Sequence, residues 1–144
     1  MLHLLTLDLS CVGKIKISIY EIEKGATMQN FHFQQGSIIW IDMDPSLGVE
    51  QKGRRPALII STEKVYKYAG LCEVLPITSS NSTYVLKMPL NVSLPGGLKT
   101  RGTILVGQGR SIDLSQRNPE YIEMVDESTL DDVLNKKHLL YFNN

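Results

Sequence analysis

Several things are scarce in this chain, and each scarcity removes a class of function. Only two cysteines occur in 144 residues. Cys11 and Cys72 have no metal-ligand spacing and too low a density for a disulfide scaffold, which favours a reducing compartment. Cys72 lies in the apolar-leaning run Leu71-Cys72-Glu73-Val74-Leu75 and reads as a small packed side chain. The three histidines, His3, His32 and His138, are isolated in apolar or terminal stretches, a pattern of packing residues rather than metal ligands. No metal or other cofactor is expected. No apolar run reaches the roughly 18 residues that span a bilayer. There is no phosphate-binding glycine loop, no GxGxxG, no nucleophile elbow and no HExxH. Internal repeats and low-complexity segments are missing as well.

Net charge is also absent, with fifteen basic residues against fifteen acidic. Its distribution is uneven. Residues 50–110 hold nine basic side chains (Lys52, Arg54, Arg55, Lys64, Lys67, Lys87, Lys99, Arg101, Arg110) and three acidic ones, a local balance of +6. Residues 111–144 stand at −4 and residues 1–49 at −2. A basic middle suits phosphate recognition; a solvated face with no partner is the plain alternative. The length fits one domain with a real core, and 42% hydrophobic with 21% charged residues is a globular composition.

The first 27 residues fit poorly with the rest of the chain. Leu2 to Val12 is apolar without clear periodicity, and residues 14–23 alternate as a half-buried strand would. Glu23 to Met28 can encode a purine-rich, ribosome-binding type of stretch just ahead of an ATG, so residues 1–27 are expected to be a translated leader or non-native extension and residues 28–144 the domain. An added strand is the competing reading. A signal peptide fits worse, because the apolar part precedes the lysines. Mass spectrometry of the native protein decides, since an N-terminus at Met1 would sink the leader.

From Gly36 onward short strands dominate. Ser37 to Asp44 is rich in β-branched and aromatic residues and stops at Pro45. Ala57 to Ser61 is continuously apolar, as a strand buried on both faces would be. Leu71 to Thr78 is another, ending in the turn-forming cluster Thr78-Ser79-Ser80-Asn81-Ser82. Tyr84 to Val92 is expected as an edge strand because Pro89 removes a ladder donor, and Gly102 to Gln108 as a further strand whose glycines allow close backbone approach. Glu63 to Tyr68 can form one helical turn. Asp126 to Tyr141 is the stronger helix, capped by Asp126 or Ser128, with Leu130, Val133, Leu134 and His138 on one face. The predicted fold is mainly β with helices (α+β), a small antiparallel barrel with a C-terminal helix.

The chemistry concentrates in Gly48-Val49-Glu50-Gln51-Lys52-Gly53-Arg54-Arg55-Pro56. This glycine-bounded loop joins two buried strands and ends in paired arginines against a proline. Loops on a rigid scaffold are where binding groups gather. Pro56 restricts Arg55 to extended backbone, so Arg55 is expected to point into a site and Arg54 outward, to phosphate or solvent. Thr78 ends a strand that can lie near Arg55. A guanidinium and a hydroxyl aimed at one point suit a phosphodiester, the arginine countering charge on a pentacoordinate phosphorus. RNA brings its own nucleophile, the 2′-OH, so neither a metal nor a covalent protein nucleophile is required. Arginine stays protonated and is a poor base. The residues alone leave a second reading open, in which Arg55 pairs Glu50 at a loop edge and Thr78 merely favours a strand.

Gly36-Ser-Ile-Ile-Trp-Ile-Asp-Met-Asp-Pro45, Gly48-Val-Glu-Gln51, Gly53-Arg-Arg-Pro56 and Gln108-Gly-Arg-Ser-Ile-Asp113 together resemble the MazF/PemK family of toxin–antitoxin ribonucleases over residues 35–142, in the family's order. The resemblance implies a small SH3-like barrel of the CcdB/PemK type that forms a homodimer, acts in the cytoplasm and binds single-stranded RNA. It implies metal-independent cleavage at short motifs, leaving 2′,3′-cyclic phosphate and 5′-hydroxyl ends. It also implies a cognate antitoxin whose disordered, often acidic tail occupies the RNA groove and with which the toxin binds DNA. The family's catalytic arginine and threonine fall on Arg55 and Thr78. Glu50, Gln51, Lys52, Arg54, Ser79, Gln108 and Arg110 are the expected RNA-binding set, with Gln51, Gln108 and Arg110 positioning RNA or holding the loop. Where some PemK-branch members carry a catalytic histidine, arginine and aspartate, this chain has Val49, Leu105 and Gly107, which leaves the arginine–threonine pair. The rival is a non-catalytic relative that binds a protein target of the gyrase kind, or only an antitoxin.

Overall fold

The computed structural model describes residues 34–142; the expected leader boundary and the alternating stretch 14–23 lie outside them. Among the described residues seven strands form one antiparallel sheet: β1 Ser37–Asp42, β2 Arg54–Ile59, β3 Cys72–Thr78, β4 Val92–Ser93, β5 Thr103–Ile104, β6 Arg110–Ile112 and β7 Glu120–Met124. They run in the order β4-β5-β3-β2-β1-β7, with β6 also paired to β3. Among the same described residues three α-helices accompany them: α1 Glu63–Ala69, α2 Thr83–Lys87 and α3 Glu127–Leu139.

The continuous apolar runs of the central strands have a direct cause: both sides of the sheet are covered. Side chains alternate along a strand. Ile38, Leu58, Leu75 and Ile77 therefore face one side, packed with Ile104, Val106, Val125 and Val133. Ile39, Ile41, Ala57, Ile59, Cys72 and Val74 face the other, packed with Met43, Ile112 and Leu114. Tyr66 of α1 leans on this second cluster. α3 closes the first: Val133 is fully buried, and Leu130 and Leu134 pack beside it.

The two ends of the strand order, β4–β5 and β7, are brought together by a side chain. The Glu123 carboxylate accepts the backbone N–H of Lys99 at 3.0 Å and of Thr100 at 2.7 Å. These residues lie in the β4–β5 connection, so Glu123 ties that connection to β7 and curls the sheet toward a barrel.

Four expectations are corrected. Tyr84–Val92 is not an edge strand, because Ser82 Oγ accepts from the Val85 N–H at 3.4 Å and starts α2, and only Val92–Ser93 joins the sheet. Val85 then supplies the buried contact of α2, which a short helix satisfies as well as a strand. Gly102–Gln108 is not one strand: Thr103–Ile104 pairs, and the chain turns into a 3-10 helix at Val106–Gln108. His138 does not continue the apolar face of α3 but is exposed and stacks on Phe142 with ring centroids 4.5 Å apart. The helix itself starts as expected, with Asp126 accepting from the Thr129 N–H at 3.1 Å. Finally, β2 begins at Arg54 rather than Ala57, so both arginines belong to the strand, not to the loop. The strands β6 and β7 have no counterpart among the strands expected from the sequence.

Candidate active site

The start of β2 at Arg54 decides the geometry of the paired arginines. Adjacent residues of a strand point to opposite faces, so Arg54 and Arg55 are separated by the sheet. β2 and β3 pair with Ala57 opposite Pro76, Leu58 opposite Leu75 and Ile59 opposite Val74. Continuing that register by two residues sets Arg55 opposite Thr78, on the face that carries Ala57 and Ile59. Ile41 of β1 is the partner of Arg55 on its other side, and Thr103 of β5 is the partner of Thr78. On that continued register the row Ile41, Arg55, Thr78, Thr103 would cross four strands at the edge of the second core cluster; the paired residues of β2 and β3 themselves end at Ala57 and Pro76.

Arg55 is half-buried and held by its own loop. Its Nη1 donates to Gln51 Oε1, and its Nε donates to the Lys52 carbonyl at 2.9 Å. Both acceptors are neutral, so its charge is not cancelled by a carboxylate, and two of its five N–H donors are engaged. Glu50 is not its partner: that carboxylate accepts from the Leu47 N–H at 3.0 Å and closes its own turn. Thr78 is 8% exposed, and its Oγ1 accepts from the Ser80 N–H at 3.2 Å. The hydroxyl proton is left for a further acceptor.

The loop between β1 and β2 is rigidly built. It contains a cis Asp44–Pro45 peptide, and Gly48 and Gly53 adopt left-handed φ values of 58° and 71°. Ser46 Oγ bridges the carbonyls of Met43 and Gln51 at 3.0 and 2.8 Å, and the Asp44 carboxylate accepts from the Gly53 N–H at 3.1 Å. Arg110, opposite Val74 on β6, reaches over to donate to the carbonyls of Met43 and Pro45 at 2.7 and 3.0 Å and to Ser46 Oγ at 3.2 Å. Of its two expected roles, holding the loop is the one these contacts perform. Arg117 braces the other end by donating to the carbonyls of Asp42 and Asp44.

The remaining expected residues separate into two groups. Glu50 and Lys52 are exposed in the loop that leads to Arg55, Ser79 is exposed next to Thr78, and Gln108 is half-exposed in the 3-10 turn after β5. Arg54 is not brought to this face. Its guanidinium is paired with Asp42 and Glu120 at 3.2 Å each and donates to the Asn118 carbonyl at 2.8 Å. Of the three departures, Val49 is 93% exposed at the loop tip, Leu105 is buried and Gly107 is exposed. Cys72 lies inside the second cluster with its thiol pushed up to about 12, first by burial and then by the Asp113 charge, which leaves it non-nucleophilic. Among the described residues, no three histidine, cysteine or carboxylate side chains converge as a metal site would. Nor is any helix long and apolar enough to cross a membrane.

The row of Arg55 and Thr78 and the braced loop occur in a chain whose residues 34–140 match the model of a protein family described as the PemK-like, MazF-like toxin of type II toxin–antitoxin systems. The chain belongs to the PemK-like, MazF-like toxin family. It is 33% identical over 104 residues to Endoribonuclease PemK of Escherichia coli, covering 72% of this chain and 77% of that protein. A crystal structure of MazF from Deinococcus radiodurans superposes with a TM-score of 0.67 at 33% identity, covering 74% of this chain and 94% of that one. A MazE–MazF complex from the same organism gives 0.61 at 29% identity over 76% and 96%. The expected family and the expected mainly-β fold are both upheld.

For this MazF/PemK-family toxin, sequence reasoning missed the residues that brace the loop and the sheet. Arg117, Asp42 and Glu120 were not singled out, and Glu123 was not seen as the link that draws the sheet together. Their only signal was charge at the ends of short apolar segments, and partners 12 to 73 residues away on other elements are invisible to local pattern.

Proposed function

We propose that this toxin is an endoribonuclease that cleaves single-stranded RNA without a metal, with Arg55 and Thr78 acting on the scissile phosphate. The observation that carries this reading is the pairing of Ala57 with Pro76, whose register, continued by two residues, brings Arg55 toward Thr78, together with neutral rather than acidic acceptors on Arg55. The 2′-oxygen attacks the adjacent phosphorus, its proton passing to solvent because a guanidinium stays protonated. Arg55 counters the charge of the phosphorane. Thr78 donates its hydroxyl proton to a non-bridging oxygen. The P–O5′ bond then breaks, the leaving oxygen takes up a proton from solvent, and the products are a 2′,3′-cyclic phosphate and a 5′-hydroxyl. Gln51 fixes the arginine, while Glu50, Lys52, Ser79 and Gln108 line the approach of the RNA. In this reading Arg54 and Arg110 act through the scaffold.

The setting we assign is a cytoplasmic homodimer paired with a cognate antitoxin whose acidic tail is drawn to the +6 middle of the chain. The test is incubation of the purified protein with a long unstructured RNA transcript in magnesium-free buffer with chelator. Discrete fragments are expected. Arg55→Ala and Thr78→Ala each lower the rate by about 10²–10³-fold with circular dichroism unchanged. Gyrase inhibition without RNA fragments would overturn the reading in favour of a protein target, and full loss of activity in chelator would overturn the metal-free step.

A further inference from the structure

The chain has five arginines, at positions 54, 55, 101, 110 and 117. Four are committed within the fold: Arg54 to Asp42 and Glu120, Arg55 to its loop, and Arg110 and Arg117 to the loop's carbonyls. Arg101 differs. It is exposed, and among the described residues no ion pair or hydrogen bond engages its guanidinium.

Its position makes that freedom informative. Gly102, the next residue, has φ +129°, and a Cβ built on it would lie 2.3 Å from the Thr78 carbonyl oxygen and 3.3 Å from the Ser79 nitrogen. The backbone therefore touches the end of β3 at the residue assigned to the phosphate. Arg101 is one peptide, about 3.8 Å of Cα spacing, from that contact. It is also anchored on both sides: the backbone of Lys99 and Thr100 is held by Glu123, and Thr103 is in the ladder with Thr78. A free guanidinium on a fixed stretch of backbone beside a phosphate-binding hydroxyl is suited to a second phosphate, which it can grip in a bidentate fork.

We propose that Arg101 is a substrate-binding residue that contacts a backbone phosphate of single-stranded RNA next to the scissile one and so fixes the strand's register over Thr78. This rests on the RNA reading of the Arg55–Thr78 row. Binding is therefore measured apart from cleavage, with a mixed-sequence RNA 2′-O-methylated throughout, which has no 2′-hydroxyl to attack. Fluorescence anisotropy across a salt series should show weaker binding by about tenfold in Arg101→Ala, with the slope of log affinity on log salt shallower by about 0.7. Arg101→Lys should restore the slope but only part of the affinity, because lysine lacks the fork. Unchanged affinity and slope in Arg101→Ala would overturn the proposal, as would absence of RNA binding by the unmodified protein. Arg101-dependent binding without cleavage of ordinary RNA would uphold Arg101 and overturn only the catalytic reading.

Discussion

At Gly102 a single hydrogen in place of a side chain lets two strands meet. Any β-carbon there would collide with the Thr78 carbonyl, and its φ of +129° is foreign to L side chains. Gly102→Ala is therefore expected to destabilise the protein by about 2–4 kcal/mol, measured by urea unfolding. It should also lower RNA cleavage beyond what the stability loss explains, because Thr78 is what moves. Cys72 gives an independent check on the second core. With its thiol raised to about 12 and the residue 3% exposed, the Cys72 peptide should resist alkylation at neutral pH in the native protein and react once the chain is unfolded. At this scale the sequence was most legible where chemistry is local. Arg55 against Pro56 and Thr78 before a polar turn stand out from their neighbours. The role of Arg54 was not legible, because its partners, Asp42 and Glu120, come from two other strands.

Among the elements, β1, β2 and β3 were readable because burial on both faces leaves an unbroken apolar signature. α2 was not: Tyr84 to Val92 has the residues of a strand, and the deciding group is the Ser82 hydroxyl that caps a helix before Val85. β6 has three residues and β7 has two glutamates among five, too short or too polar for periodicity to register. The loop between β1 and β2 owes its shape largely to Arg110. Arg110→Ala removes donors to two carbonyls and a hydroxyl and is expected to reduce stability by about 1–3 kcal/mol. Cleavage by a protease between residues 46 and 52 should become faster. Arg110→Lys should recover little, since one ammonium cannot span the three acceptors.

For the whole molecule, Glu123 adds a polar link between the two ends of the strand order, which also meet in the first core cluster through Val92, Ile104 and Ile122. Burial raises its carboxyl pKa, but the Lys99 and Thr100 N–H groups and the Lys99 charge outweigh that and leave it lowered. A carboxyl whose pKa is lower in the folded state stabilises above its unfolded value, about 4.3, and that contribution disappears as pH falls through the folded value. Asp126, lowered by its hydrogen bonds from Thr129, has the same sign. Stability should therefore decline on acidification below about pH 4.5. Glu123→Gln should be less stable at neutral pH and show a flatter acid limb in thermal unfolding measured across pH.

The neighbouring arginines have one more consequence. Because positions 54 and 55 carry the same side chain, a strand slipped by one residue would still present an arginine to the face that carries Ala57 and Ile59. Two sets of contacts favour the observed alignment: Gln51 and the Lys52 carbonyl hold Arg55 on one face, and Asp42 and Glu120 engage Arg54 on the other. The acidic pair never faces the row of Arg55 and Thr78, yet it gives the cation turned away from that row a partner of its own.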